Sequence, residues 1–294
     1  MAERGIVVRR GARELVCPAR RVGSRDLATP GDASGRDDAR PPRGILYIEP
    51  GLGLAADSWT RTVRALLALP AMRDWLIVTC NRAGYGESTP DADPRSLDEV
   101  LADQAAILSR LRRIGGPETP LILAGHSWGG TLLRLWIAAH PGLATGLVLV
   151  DASYEGGHEH YSDGLVGDMR EGAERVALEI AEWFHVISPR GRENAAHARV
   201  QEIEVFQESL DRLQAEDRKV GTGGTEVTGS TILVTTRKQA GAQLAVQQAF
   251  AREVGALVIA SDTRSHMIPG KDPRTVARAI GQIATAIGDG APLA

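Results

Sequence analysis

The stretch Gly125-His126-Ser127-Trp128-Gly129-Gly130 sits between two different periodicities, and that placement decides how the chain is read. Before it runs Leu121-Ile122-Leu123-Ala124, continuous and apolar, as in a strand buried on both faces. After it, Leu132, Leu135, Trp136 and Ala139 recur at i, i+3, i+4 and i+7, the spacing of one helix face, and Pro141 ends the pattern. Strand, sharp turn, helix is the context in which a G-x-S-x-G run lifts its serine onto a strained, exposed turn. Small residues are needed where the backbones crowd, and Gly125 and Gly129 supply them. A glycine-rich turn with a passive serine is the competing reading, so the rest of the chain must supply the partners that a reactive serine needs.

Working outward, the same alternation recurs. Apolar runs at 44–48, 75–79, 146–150, 231–235 and 256–260 read as strands. Helical patterns at 59–69, 97–114, 243–253 and 274–287 separate or follow them. Continuous apolar strands alternating with helices predict an α/β fold with a mostly parallel sheet covered on both faces. Two short strands, 6–8 and 14–17, join at Gly11 near the N-terminus. The segment 21–43 is rich in Arg, Asp, Gly, Ser and Pro and reads as a flexible surface loop. The alternation pauses between 152 and 229, where two long helical patterns, 165–187 and 193–219, precede a glycine-rich hinge at 221–229. These predict a helical cap over the carboxyl edge of the sheet, where such folds place their ligand crevice. The expected organisation is a core of 1–151 and 230–294 with a cap insertion at 152–229.

Bulk properties narrow the function classes. With 294 residues, 43% hydrophobic and 24% charged, the chain has the balance of a globular protein with a large core. A net charge of −3 gives no reason to expect nucleic acid or a membrane surface as partner. The ten arginines of 1–43, set against six acidic residues, leave only +4 there. Cys17 and Cys80 have no metal-ligand spacing and no disulfide framework, which fits a reducing, cytoplasmic location. The N-terminal residues lack the apolar core of a signal peptide, and no run is long enough for a membrane span. The only lysines are Lys219, Lys238 and Lys271 among many arginines, which suggests a GC-rich bacterial source.

A serine hydroxyl is a poor nucleophile near neutral pH and needs a base, which in turn needs an orienting group. His266 lies between the last strand and the last helix, in a loop that leaves the same sheet edge as Ser127. The usual chain order is serine, acid, histidine. The penultimate strand ends without a carboxylate, whereas the strand after the 125–130 turn ends at Asp151. Asp151 is therefore the expected partner of His266, with Glu155 and Asp262 in reserve. An oxyanion needs two backbone donors. Trp128 follows the serine, and Leu52 lies in the glycine-bearing turn Glu49-Pro50-Gly51-Leu52-Gly53, where Gly51 allows close approach. One such donor contributes about 3 kcal/mol of transition-state stabilisation.

From about 44 to 287 these residues together resemble the α/β-hydrolase superfamily. The matching pieces are Gly51-Leu52-Gly53 with Trp59 behind it, Asn81-Arg82-Ala83-Gly84-Tyr85-Gly86-Glu87-Ser88, the 125–130 elbow, 147–151 and His266. The resemblance implies a serine hydrolase that cleaves an ester, thioester, lactone or amide of a small-molecule acyl substrate through an acyl-enzyme, with no cofactor and no metal. Ser127 in place of an aspartate argues against dehalogenase or epoxide hydrolase chemistry. Two departures stand out. Many relatives carry His-Gly where this chain has Pro50-Gly51 after Glu49, and a carboxylate beside an anion hole must be paired, protonated or turned away. The acid after the penultimate strand is missing, as in some lactone hydrolases and dehalogenases that place it one strand earlier.

Other signals are weaker. His158 and His160 lack a third ligand and read as solvent-facing rather than metal-binding. Trp183 and Phe184 read as cap packing, Tyr161 as a pocket candidate, and Glu202 and Glu204 as a solvated helix face. An acyltransferase or cyclase with the same triad, a lyase or isomerase using His266 as a base, and a silent binding protein on this fold are the alternatives. Oligomeric state and substrate identity are not encoded in these patterns.

Overall fold

A computed structural model describes residues 5–23, 40–91, 95–154, 189–220, 227, 229–236 and 242–290, with side chains described over 197–216 of the 189–220 helix and over 245–253 of the 242–253 helix. The strands are β1 (Gly5–Arg10), β2 (Arg13–Arg21), β3 (Gly44–Glu49), β4 (Trp75–Thr79), β5 (Leu121–His126), β6 (Gly146–Val150), β7 (Thr231–Thr236) and β8 (Leu257–Ser261). They form an eight-stranded sheet in the order β1-β2-β4-β3-β5-β6-β7-β8. β1 and β2 pair antiparallel, as do β2 and β4, and every later pair is parallel. This is the architecture of an α/β-hydrolase fold.

The period-two burial of the strands explains why helices cover both faces. Leu121 and Leu123 of β5 point into one core with Ile45, Tyr47, Leu147, Leu149 and Leu233. That core is closed by α2 (Leu97–Gly115), α3 (Trp128–Ala139) and α5 (Ala242–Glu253), through Leu108, Trp136 and Phe250 among others. Ile122 and Ala124 point the other way, with Leu46, Ile48, Val148, Val150 and Val234. That second core is closed by α1 (Thr60–Leu67) and α6 (Pro273–Asp289), through Leu66, Val276, Ile280 and Ile283. A strand buried on both faces must be apolar throughout, which is why these runs lack polar alternation.

The helices start where the chain supplies caps. Ser96 and Glu99 form a reciprocal capping box at α2. Asp272 accepts from the Thr275 N–H at α6, and Gly290 closes that helix in a left-handed conformation.

Parallel register brings the strand ends together. Glu49 lies opposite Gly125, His126 opposite Val150, Val150 opposite Val234, and Thr236 opposite Ser261. The carboxyl ends of β3, β5, β6, β7 and β8 therefore share one edge, and the loops that leave it form the site.

Three segments add detail to the expected organisation. The 21–43 segment is anchored at both ends: Arg21 continues β2 opposite Leu76, Val22 is buried, and Arg21 binds Asp74 and the Arg40 carbonyl. Its middle, 24–39, lies outside the described residues. Residues 152–154, where the insertion is expected to begin, pack against the core: Thr131 Oγ1 donates to the Ser153 carbonyl, and Ala152, Ser153 and Tyr154 are buried. The helix expected at 193–219, α4, runs Pro189–Val220, longer at both ends than expected. The expected helix at 165–187 and residues Glu155, His158, His160, Tyr161, Trp183 and Phe184 lie outside the described residues.

Ile280 is fully buried between α6 and the sheet. We predict that Ile280→Ala destabilises the fold by about 2–5 kcal/mol, read as a lowered urea midpoint with an unchanged m-value.

Candidate active site

Ser127 has φ 52° and ψ −126°, in the region that side-chain-bearing residues avoid. The surrounding structure holds it there. Its N–H donates to the Val150 carbonyl, and its carbonyl accepts from the N–H groups of Gly130 and Ser153. Gly129 is required by close approach: a Cβ there would collide with the Glu49 carbonyl oxygen and lie 2.5 Å from that of Pro50. The start of α3 is thereby pressed directly onto the turn that follows β3.

Asp151 also has a positive φ, 43°, at the end of β6. Its N–H donates to the Val234 carbonyl, which fixes the strained residue to the next strand. The residue is 2% exposed. One carboxylate oxygen accepts from His266 Nδ1 at 2.7 Å and the other from Gln247 Nε2 at 3.0 Å. Gln247, on α5, is held in turn by the Thr235 hydroxyl. The imidazole of His266 is half-exposed, with its Nδ1 edge turned inward. Burial opposes the charged imidazolium, but the Asp151 charge and its hydrogen bond outweigh it and raise the His266 pKa. Of the two reserve acids, Asp262 is exposed, in the loop that follows β8, and Glu155 lies outside the described residues.

His126 ties the two loops together. Its Nε2 lies 2.8 Å from the His266 backbone carbonyl, an obligate acceptor, so Nε2 carries the proton. The two rings lie 4.7 Å apart, centroid to centroid. His126 is fully buried, and desolvation together with the neighbouring His266 lowers its pKa to about 3. It therefore stays neutral and anchors the His266 loop beside the elbow without competing for its proton.

At the end of β3, the Glu49 carboxylate is turned away from the serine and paired. It accepts from Tyr47 Oη at 2.5 Å, Arg82 Nη1 at 2.7 Å and Gln104 Nε2 at 3.2 Å. Burial keeps the Tyr47 phenol protonated, so it serves as a donor. Gly51 faces the elbow: a Cβ on it would stand 3.2 Å from Ser127 Cβ and 2.8 Å from His126 Nδ1. Leu52 and Trp128 thus flank the serine from two loops. The Trp128 side chain is fully buried, its Nε1 donating to Ser209 Oγ at 2.9 Å.

Glu202 departs from the expectation of a solvated face. It is 4% exposed, and it accepts from Arg82 Nε at 2.6 Å, the Gly53 N–H at 2.8 Å and Tyr85 Oη at 3.0 Å. Glu204 is exposed, as expected. The structure thus brings Ser127, Asp151, His266, Gly51, Leu52 and Trp128 to one edge. Sequence reasoning misses Gln247, His126 and Glu202 as supporting residues. Glu202 shares a helix face with Val205, Phe206, Leu210 and Leu213, a periodicity that marks it as inward-facing.

Comparison with known proteins agrees with this geometry. Residues 44–185 match the family model described as the alpha/beta hydrolase fold. Over 120 residues the chain is 32% identical to a protein named a probable transporter, EfuK, of Hormonema carpetanum; the match takes in 40% of this chain and 16% of that protein, so the chain spans about one sixth of its length. A monoglyceride lipase of Saccharomyces cerevisiae superposes with a TM-score of 0.64 at 11% identity, covering 97% of this chain and 95% of the lipase. A structure from a study of carboxylesterases of the thaumarchaeon Nitrososphaera gargenis superposes with a TM-score of 0.62 at 13% identity, covering 97% and 100% of the two chains. At such identities these likenesses speak for the fold alone. Among the described residues, no helix is long and apolar enough to cross a membrane.

Two titrations test the electrostatics. NMR of the imidazole resonances will show His266 titrating above the usual histidine range, with Asp151→Asn moving it down. His126 will titrate only with a midpoint of about 3 and stay neutral near physiological pH. Gathered on the carboxyl edge of a mostly parallel sheet, this strand–elbow–helix arrangement is that of the α/β-hydrolase fold, and residues 44–185 match the family model of that fold.

Proposed function

We propose that the protein is a serine hydrolase that cleaves an ester, thioester, lactone or amide bond of a small-molecule acyl substrate. The observation that carries this reading is the 2.7 Å bond between Asp151 and His266 Nδ1, on the sheet edge that also holds the strained Ser127 turn.

Each step follows from the chemistry of the side chains. With Nδ1 donating to Asp151, the basic lone pair of neutral His266 resides on Nε2. Nε2 takes the proton of the Ser127 hydroxyl as its oxygen attacks the substrate carbonyl carbon. The resulting oxyanion is held by the N–H groups of Trp128 and Leu52. Collapse of the tetrahedral intermediate breaks the bond to the leaving group, which receives the proton from His266, and leaves an acyl-serine. Water then attacks, again losing its proton to His266, and the acid departs with Ser127 restored. Asp151 stabilises the imidazolium that forms in both halves, and Gln247 holds the second carboxylate oxygen.

Labelling with a fluorophosphonate tests the assignment. A covalent adduct at Ser127, abolished in Ser127→Ala, is the expected result; a folded protein that stays unmodified overturns it. Asp151→Asn should lower kcat by about 10⁴-fold. Catalysis needs neutral His266, so kcat/KM of the wild type will fall as pH drops through the raised His266 pKa. Asp151→Asn will move that acid limb to lower pH, because the charge that raises the pKa is gone.

A further inference from the structure

We propose that cap helix α4 is the scaffold of the oxyanion hole, and that Glu202 and Ser209 are positioning residues for its two backbone donors. The inference rests on the serine hydrolase reading and extends it to residues that touch no substrate.

Glu202 and Ser209 are seven residues apart, two turns along one face of α4. Val205, Phe206, Leu210 and Leu213 share that face, and they pack with Trp128 and Leu52, the two residues whose N–H groups form the hole. Each polar residue on the face reaches one of the two loops. Ser209 Oγ accepts from Trp128 Nε1 and donates to the Phe206 carbonyl at 2.6 Å, so the residue after the nucleophile is tied to α4. Glu202 accepts the Gly53 N–H, the amide after Leu52.

Arg82 completes the link. It is buried, and five acceptors lie within 3.2 Å of its nitrogens: both oxygens of Glu202, one oxygen of Glu49, and the carbonyls of Pro50 and Gly51. A guanidinium has five N–H donors, so this set matches its whole capacity. Burial disfavours the charge, but Glu202 and Glu49 outweigh it and keep Arg82 ionised. Its guanidinium also stacks over Trp128, 5.1 Å from the ring centroid.

The consequence is directional. No peptide bond among the described residues is cis, and in a trans peptide the carbonyl and N–H point in opposite directions. The Gly51 carbonyl points into Arg82, 2.7 Å from Nη2, so the Leu52 N–H on the same peptide plane points away from it. The next peptide is fixed by its own N–H, that of Gly53, on Glu202. Two consecutive peptide planes are thus oriented by an ion pair whose acidic member belongs to the cap. Because the donors must be aimed before charge develops, α4 acts on the rate of attack rather than on substrate affinity.

The test compares wild type, Glu202→Ala and Ser209→Ala. Measured quantities are the second-order rate constant for Ser127 phosphonylation by a short alkyl fluorophosphonate, and kcat, KM and the pH profile with a p-nitrophenyl ester. We expect phosphonylation and kcat to fall together, about 10-fold in Ser209→Ala and about 100-fold in Glu202→Ala. KM and the acid limb of the pH profile should stay at wild-type values, since the His266–Asp151 pair is untouched. Folded variants that label at the wild-type rate, or that raise KM while kcat holds, overturn the inference and leave the hydrolase reading standing. A wild type that does not label at all removes both. Should Glu202→Ala fail to fold, with Arg82 left facing Glu49 alone, Ser209→Ala decides the matter, because it removes one hydroxyl and no charge.

Discussion

Backbone hydrogen bonds hold β3, β5, β6, β7 and β8 in one parallel register, and this register determines where chemistry can occur. His126 and Val150 end their strands level with one another, and Glu49 ends β3 one residue earlier, opposite Gly125, so the residues that follow them emerge side by side. A slip of one residue in β5 would turn Ser127 and His126 to the opposite faces. Such a slip is opposed by both cores at once: Leu121 and Leu123 would exchange places with Ile122 and Ala124, which differ from them in shape and volume. The precision of the site is thus inherited from packing several residues below it. The strain in Ser127 and Asp151 is sustained in the same way, each strained residue donating its N–H to a carbonyl of the neighbouring strand.

Buried charge is the second organising element. Arg82 lies between two buried carboxylates, an arrangement that would be costly if any charge lacked partners. Here each has them. Tyr47 and Gln104 donate to Glu49, while Tyr85 and the Gly53 amide donate to Glu202. Burial holds the Tyr85 phenol protonated, and the nearby Glu202 charge reinforces this, so the donors survive at high pH. Asp151 is satisfied in the same manner, its two oxygens accepting from His266 and Gln247. One network holds the turn after β3 and the other holds the His266 imidazole.

The parallel strands, the strand–turn–helix elbow and the pairing of Asp151 with His266 are legible in the sequence because each is written in local chemistry. A strand covered on both sides must be apolar, a turn pressed against another backbone must carry glycine, and a strand end can present only the residue that ends it. Asp151 is readable for that last reason. Glu202 is not, because its burial is decided by Arg82, 120 positions away in the chain. A carboxylate on an amphipathic helix normally faces water, and only its coincidence with the Val205–Phe206–Leu210–Leu213 face says otherwise. Gln247 carries no local signal at all: a glutamine on a surface-type helix acquires its role from the strand it happens to cover. His126 is visible as part of the motif, yet its anchoring of the His266 loop depends on a carbonyl 140 residues distant.

On the proposed mechanism these converging loops make Ser127 a nucleophile that carries an acyl group. Rapid-quench mass spectrometry during turnover of an activated ester reads this directly. The expected result is a burst in which the peptide bearing Ser127 gains the mass of the acyl group at a rate at least equal to kcat. Turnover with no acyl mass on that peptide at any time, in protein shown to be folded, would contradict it.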